Sequence, residues 1–236
     1  MIKGLYTVAR SLDFRTKNIE LIANNLANIN TTGYKREIPF SEYLNESGGV
    51  DIKKISNMDQ GETILTSNPL DMMIDGKGFF TIQNEDGTME LTRDGRFKIN
   101  DEGFLTDSVN RKVMGKNGAI SLEDTLLTKD SKILITAEGE VKVGDKIIDS
   151  LSISNVDSPE ELIRTSGSNF IAPDGMITPS SENDFKIVQG YIEESNTNPL
   201  IEMEQMISVN KSFESAQKII SALDKSLDDA NQIGKV

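Results

Sequence analysis

Apolar residues fall into three regimes along this chain. Near the N-terminus they recur at heptad spacing. Leu5, Leu12, Ile19 and Leu26 form one row, and Val8, Ile22 and Ile29 form a second, interrupted only by Arg15. This a/d pattern over residues 5–29 predicts an amphipathic helix with a coiled-coil seam, about 40 Å long. The "NTTG" that follows supplies turn chemistry, and Gly33 offers the left-handed conformation that commonly stops a helix. The C-terminal region repeats the pattern. Asn198 is placed to cap a helix with Pro199 at its first position. Beyond it, Met206, Phe213, Ile220 and Leu227 form one row, and Val209, Ala216, Leu223 and Ala230 the other.

Between the two helices the period drops to two and glycine turns appear. Asp86-Gly87, Asp94-Gly95 and Glu102-Gly103 follow one another at eight-residue spacing, and Glu138-Gly139 repeats the device. That spacing predicts a meander of short antiparallel strands. Residues 37–69, with Gly48-Gly49 and "SNP", show no sustained periodicity. The fold class expected is α+β: long N- and C-terminal helices pairing as a coiled coil, a central all-β domain and an extended connector. The boundaries are an N-terminal helix at 1–33, the connector at 34–69, the β domain at 70–189, and a return segment with the C-terminal helix at 190–236.

Composition narrows the function classes. Histidine, cysteine and tryptophan are absent, which removes Ser-His-Asp and Cys-His nucleophile systems, Cys/His zinc sites and disulfides. The net charge of −13 argues against general binding to nucleic acid or to an anionic membrane surface. The charge is uneven. Lys3, Arg10, Arg15, Lys17, Lys35 and Arg36 against Asp13 and Glu20 give the first 36 residues +4, leaving −17 for the rest. A basic arm on an acidic body suggests pairing between arms and bodies. No apolar run approaches the length that spans a bilayer, so no direct membrane insertion is expected. The N-terminal sequence has no apolar signal core and no small-residue cleavage site. It predicts a soluble chain that stays in the cytosol unless another export route takes it.

Motifs with chemical content are weak. "DGKGFF" (Asp75–Phe80) holds Gly76-x-Gly78, but no third glycine follows, and a tight turn into a buried strand explains it better than a phosphate cradle. The Asp-Gly repeats match neither the EF-hand loop nor a nonapeptide calcium repeat, so hairpin turns are the reading. Thirty-eight carboxylates leave a glycosidase-like acid pair open without singling one out. Ser–Lys chemistry is open in the same way. No catalytic residue, metal, cofactor or small-molecule substrate is implied.

The stretch "NNLANIN" carries Asn24, Asn25, Asn28 and Asn30 in a predicted helix, although asparagine is a mediocre helix former. With Leu26 at a and Ile29 at d, Asn25 and Asn30 flank the seam, and Asn24 and Asn28 sit on the opposite face. Solvated helix faces favour Glu, Lys and Gln. This face is therefore expected to lie against other subunits, where amides can satisfy one another.

Four separated segments resemble the bacterial flagellar rod and hook axial proteins: "ANNLANINTTGYKR", "PLDMMIDGKGFFTI", "TRDGRFKINDEGFL" and "VQGYIEESNTNPLIEMEQMI". They occur in family order and span nearly the whole chain. The resemblance implies a non-enzymatic structural subunit of the flagellar basal-body rod, the axial drive shaft running through the periplasm. It further implies paired terminal helices lining the inner tube and an outer β domain. Export by the flagellum-specific apparatus without a cleaved signal is implied too. The implied partners are copies of itself, other rod and hook axial proteins, and that apparatus. The 35 residues between Gly33 and "PLD" (34–68) are short, so the chain looks most like a proximal-rod subunit. The assembly interface expected comprises Leu5, Val8, Leu12, Ile19, Ile22, Asn24, Asn25, Leu26, Asn28 and Ile29 at one end. At the other it comprises Met206, Val209, Phe213, Ala216, Ile220, Leu223 and Leu227. The competing reading is a secreted binding module with a helical oligomerising stalk.

Overall fold

The computed structural model describes residues 2–44, 50–123, 132–173, 175–181 and 184–233. The chain divides into two compact units. One holds Met1–Ala27, Glu37–Ile55 and Asn198–Val236; the other holds Asn28–Arg36 and Ser56–Thr197.

The first unit contains helix α1 (Ile2–Ala27), strands β1 (Glu37–Leu44) and β2 (Val50–Ser56), and helix α2 (Pro199–Ile233). α1 ends at Ala27, earlier than the heptad pattern implies. There Asn28 takes over the backbone: its carbonyl accepts from the Thr31 N–H at 3.1 Å, and its side chain accepts from the Thr31 hydroxyl at 3.2 Å. Local amide and hydroxyl bonds of this kind compete with helix propagation. Ile29 and Asn30 therefore lie beyond the helix and carry no heptad position. α2 starts where its sequence predicts. The Asn198 side-chain oxygen accepts from the N–H groups of Leu200 (3.0 Å) and Ile201 (3.4 Å), with Pro199 at the first helical position.

The coiled-coil pairing expected of the terminal helices is not found. A coiled coil buries both of its apolar rows. Among the seam positions whose side chains are described, only Ile22 and Ala216 are buried. Val8, Leu12, Ile19, Leu26, Met206, Val209, Phe213, Ile220 and Leu223 all keep partial exposure. The stop at Ala27 removes Ile29 from the row, and the deepest contact in this unit is polar. Within the extended connector expected at 34–69 the structure places strands. β1 and β2 pair with each other there, and a third strand follows.

The second unit is β-rich. It continues with β3 (Thr63–Leu65), β4 (Met72–Gly76), β5 (Phe79–Gln83), β6 (Met89–Thr92), β7 (Lys98–Ile99), β8 (Leu105–Thr106), β9 (Lys112–Gly115) and β10 (Gly118–Ala119). After these come β11 (Ile133–Ile135), β12 (Glu140–Val143), β13 (Lys146–Ser150), β14 (Ile153–Val156), β15 (Ile163–Arg164), β16 (Asn169–Ile171), β17 (Ile177–Pro179), β18 (Phe185–Gln189) and β19 (Tyr191–Glu193). The main sheet runs β15-β16-β6-β5-β9-β8-β7, with β10 on β9, and β14 joining β17 to β5. β11-β12-β13 form a separate sheet, and β18 pairs with β4 as β19 pairs with β3.

β5 is central because both of its faces are apolar. Phe80 and Ile82 enter the larger core with Met72, Phe97, Leu105, Val113 and Leu151. Phe79, one residue out of phase, enters a second cluster with Leu91, Val156 and Phe170. The Phe80 and Phe97 rings meet edge to face at 5.2 Å. Burying each such ring contributes about 1.5–3 kcal/mol.

The glycine turns are partly as predicted. Gly87, Gly103 and Gly139 have positive φ between β5 and β6, β7 and β8, and β11 and β12. Asp94-Gly95 is different. A Cβ on Gly95 would lie 1.6 Å from the Met72 carbonyl oxygen, and the Met72 N–H donates to the Gly95 carbonyl at 3.0 Å. That glycine serves a close crossing of two backbones, which a sequence reads as a turn.

Candidate functional site

In the first unit the polar anchor is Asn25, fully buried on the last turn of α1. Its side-chain N–H₂ donates to the Glu37 carbonyl at 2.9 Å and to the Glu202 carboxylate at 3.3 Å. Its oxygen accepts from the Glu37 N–H at 2.9 Å. One amide thus reads both backbone groups of the first β1 residue and reaches Glu202 in the first turn of α2. Glu202 is itself fully buried. A carboxylate there also faces the positive end of the helix dipole.

In the second unit a charged cluster joins segments far apart in sequence. Gly33 turns the chain at φ +66°, and a Cβ there would lie 2.4 Å from the Arg93 backbone. Two residues later Lys35 is buried with 1% exposure. Its ammonium donates to Glu193 Oε1 at 2.5 Å, to the Asp59 carbonyl at 2.8 Å and to the Met58 carbonyl at 3.5 Å. All three protons therefore have acceptors. Glu193 Oε1 also accepts from the Gly61 N–H at 2.9 Å, and Oε2 lies 3.4 Å from Arg93 Nη1. Arg93 donates further to the carbonyls of Ile74 and Gly76. Burial pushes the Lys35 amine below its usual value, with Glu193 opposing that shift, and burial lowers the Arg93 guanidinium in the same way.

The backbone is tied at the same place. The Gly33 N–H donates to the Glu193 carbonyl (2.8 Å), the Asn196 N–H to the Tyr34 carbonyl (3.3 Å), and the Arg36 N–H to the Asn196 side-chain oxygen (2.7 Å). Arg164 donates to the Lys35 carbonyl and stacks over the Tyr34 ring at 4.3 Å. All four segments that carry the axial-protein resemblance meet here, through Lys35, Gly76, Arg93 and Glu193. The basic arm does pair with the acidic body at Lys35, and it does so within one chain.

Of the expected interface residues, Ile22, Asn25 and Ala216 are buried within the chain, and Asn24 is exposed. Asn28 and Ile29 are half-buried in the turn after α1, and the other seam residues are half-buried along the helices. Leu5 and Leu227 fall among the residues whose side chains are not described. Apolar residues of α2 also lie outside the heptad rows. Leu200 (74% exposed), Met203 (47%) and Ile207 (56%), spaced three and four apart, share one exposed face of α2. Sequence reasoning missed Lys35, Arg93 and Glu193, although all three lie inside the resembling segments. A cavity of about 490 Å³ beside Arg93 is lined by Gly76, Lys77 and Gly78, and by Asp59 and Asp157. Its mixed charge gives no preference for a phosphate.

Known proteins resemble this chain in these segments of sequence. Residues 5–35 match the "Flagella basal body rod protein" family. Residues 73–143 match the "Flagellar hook protein FlgE/F/G D1 domain", and 188–233 the "Flagellar basal body rod FlgEFG protein C-terminal". The flagellar basal-body rod protein FlgF of Buchnera aphidicola subsp. Schizaphis graminum is 31% identical, covering 92% of this chain and 91% of its own. FlgF of Mesorhizobium japonicum is 29% identical over 98% and 97%. FlgG of Borreliella burgdorferi is 29% identical over 99% of each.

Proposed function

Since the chain belongs to the flagellar basal-body rod protein family, as a structural subunit of the proximal-rod type and not an enzyme, we propose that it joins the rod through its terminal helices. It assembles with other axial flagellar proteins at the basal body. Copies of this chain are among those neighbours in our reading. The flagellar export apparatus delivers it, and its working station is the periplasm-spanning part of the rod.

The observation that supports assembly through the helices is the apolar face of α2. Leu200, Ile201, Met203, Ile207 and Ile219 are all 47% exposed or more. Monomeric proteins rarely present so many large apolar side chains on one helix without a partner. The half-buried rows of α1 and α2 point the same way, because a neighbouring helix would complete their burial. Repeated contacts between unlike surfaces that do not close a ring generate a filament, as a rod requires.

The test is Leu200→Lys with Ile207→Lys. Both side chains are exposed, so the purified monomer keeps its circular dichroism spectrum and urea midpoint. Cells carrying only this variant are expected to lack it in isolated basal bodies and to be non-motile. Normal swimming with normal incorporation overturns the proposal.

A further inference from the structure

We propose that residues 28–36 form a strap that docks on the β body only after the return segment 190–197 is in place, and that Glu193 enforces this order. The inference concerns the second unit alone and does not depend on how the helices meet other subunits.

The strap's decisive partners come late in the chain. Gly33 and Arg36 donate their N–H groups to Glu193 and Asn196, and Tyr34 accepts from the Asn196 N–H. Other ties include the Asn57 N–H to the Arg36 carbonyl at 2.8 Å, Arg164 to the Lys35 carbonyl, and the Lys35 ammonium to the carbonyls of Met58 and Asp59. Lys35 and Glu193 are separated by 158 residues.

Charge makes the order strict. Without Glu193, docking the strap would bring the Lys35 ammonium into a dry site where the Arg93 guanidinium is already buried. Two cations would then share the site without the one carboxylate that pairs with both, and removing the partner of a buried charge is strongly destabilising. With Glu193 present, one carboxylate faces both cations, and the three lysine protons are matched. The strap follows α1 in sequence and the return segment precedes α2. In any process that releases the chain N-terminus first, the stretch after α1 therefore stays undocked until the stretch before α2 arrives.

The main sheet has no such dependence. Its ladder near β9 is closed by the Leu105 N–H to the Ile120 carbonyl (2.9 Å), the Ile120 N–H to Val113 (3.0 Å) and the Ser152 N–H to Met114 (2.9 Å). None of these atoms belongs to the strap or to residues 190–197.

The experiment is pulsed hydrogen exchange during refolding of the full chain, read at single amides by mass spectrometry. Protection at Leu105 and Ile120 is expected first, with Gly33 and Arg36 following in a separate, later phase. In Glu193→Gln the native-state exchange of Gly33 and Arg36 is expected to quicken by about 100-fold or more, with Leu105 and Ile120 unchanged. Lys35→Met is the second variant. It removes one cation, so Glu193→Gln added to it should quicken Gly33 exchange far less than it does alone. Simultaneous protection of strap and sheet, or a wild-type rate at Gly33 in Glu193→Gln, overturns the proposal. So does a rise at Gly33 matched by an equal rise at Leu105.

Discussion

Asn25→Ala removes one side chain from the first unit without touching an apolar contact row. The hydrogen bonds that go with it include two to the Glu37 backbone at 2.9 Å and one to the Glu202 carboxylate at 3.3 Å. A neutral buried bond contributes about 1 kcal/mol net, and one to a charged group about 1.5–3 kcal/mol. The expected loss is therefore about 3–5 kcal/mol, against a total stability of about 5–15 kcal/mol for an ordinary domain. Alanine's better helix propensity returns only about half a kcal/mol. The matched control is Asn24→Ala, one residue away on the exposed side of the same helix, where that propensity gain is not set against a fully buried amide. Urea titrations of both variants, followed by far-UV circular dichroism, make the comparison. Asn25→Ala should move the helical transition to much lower urea while Asn24→Ala leaves it in place or slightly higher. Equal midpoints would mean that Asn25 anchors nothing and that the helices hold by their apolar rows alone.

Gly33→Ala and Gly87→Ala separate close approach from backbone preference. Both glycines have positive φ, but a Cβ at Gly33 would meet the Arg93 backbone at 2.4 Å, whereas nothing lies within 4 Å of one at Gly87. Gly87→Ala is expected to cost about 1 kcal/mol and Gly33→Ala at least about 3 kcal/mol in urea unfolding, because backbone must shift as well. Similar losses at both sites would refute the tight docking of the strap. Lys35 should also shape the alkaline stability. Burial lowers its value in the folded chain below the ordinary 10.5, so between those two values the unfolded chain binds more protons. Stability from this group therefore rises with pH through that window. The advantage of the wild type over Lys35→Met, measured by urea titration from neutral to alkaline pH, should grow; a flat or shrinking difference would contradict the buried charged site.

Some of this protein is written locally. Both helices follow from heptad rows, the start of α2 from Asn198 and Pro199, and the turns at Gly87, Gly103 and Gly139 from an acidic residue followed by glycine. Each signal acts within a few residues, so composition and spacing are enough to read it. The signature segments were legible as well, and they led to the rod family.

Other features exist only because distant segments meet. Nothing near Asn25 says that it will bond to Glu37 and Glu202, and without that partner it reads as one more poor helix former. The stop at Ala27 arises where Asn28 and Thr31 bond locally, against a heptad that runs on to Ile29. The rows named an apolar face but not what would cover it, so the coiled coil expected from them was an overreach. Lys35, Arg93 and Glu193 each read as ordinary surface charges, since such residues are almost never buried alone. Only the tertiary structure shows that they are buried together. The sequence by itself determined the two helices, the acidic-glycine turns and the family. The fold alone decided which polar groups leave water, because that depends on partners up to 177 residues away.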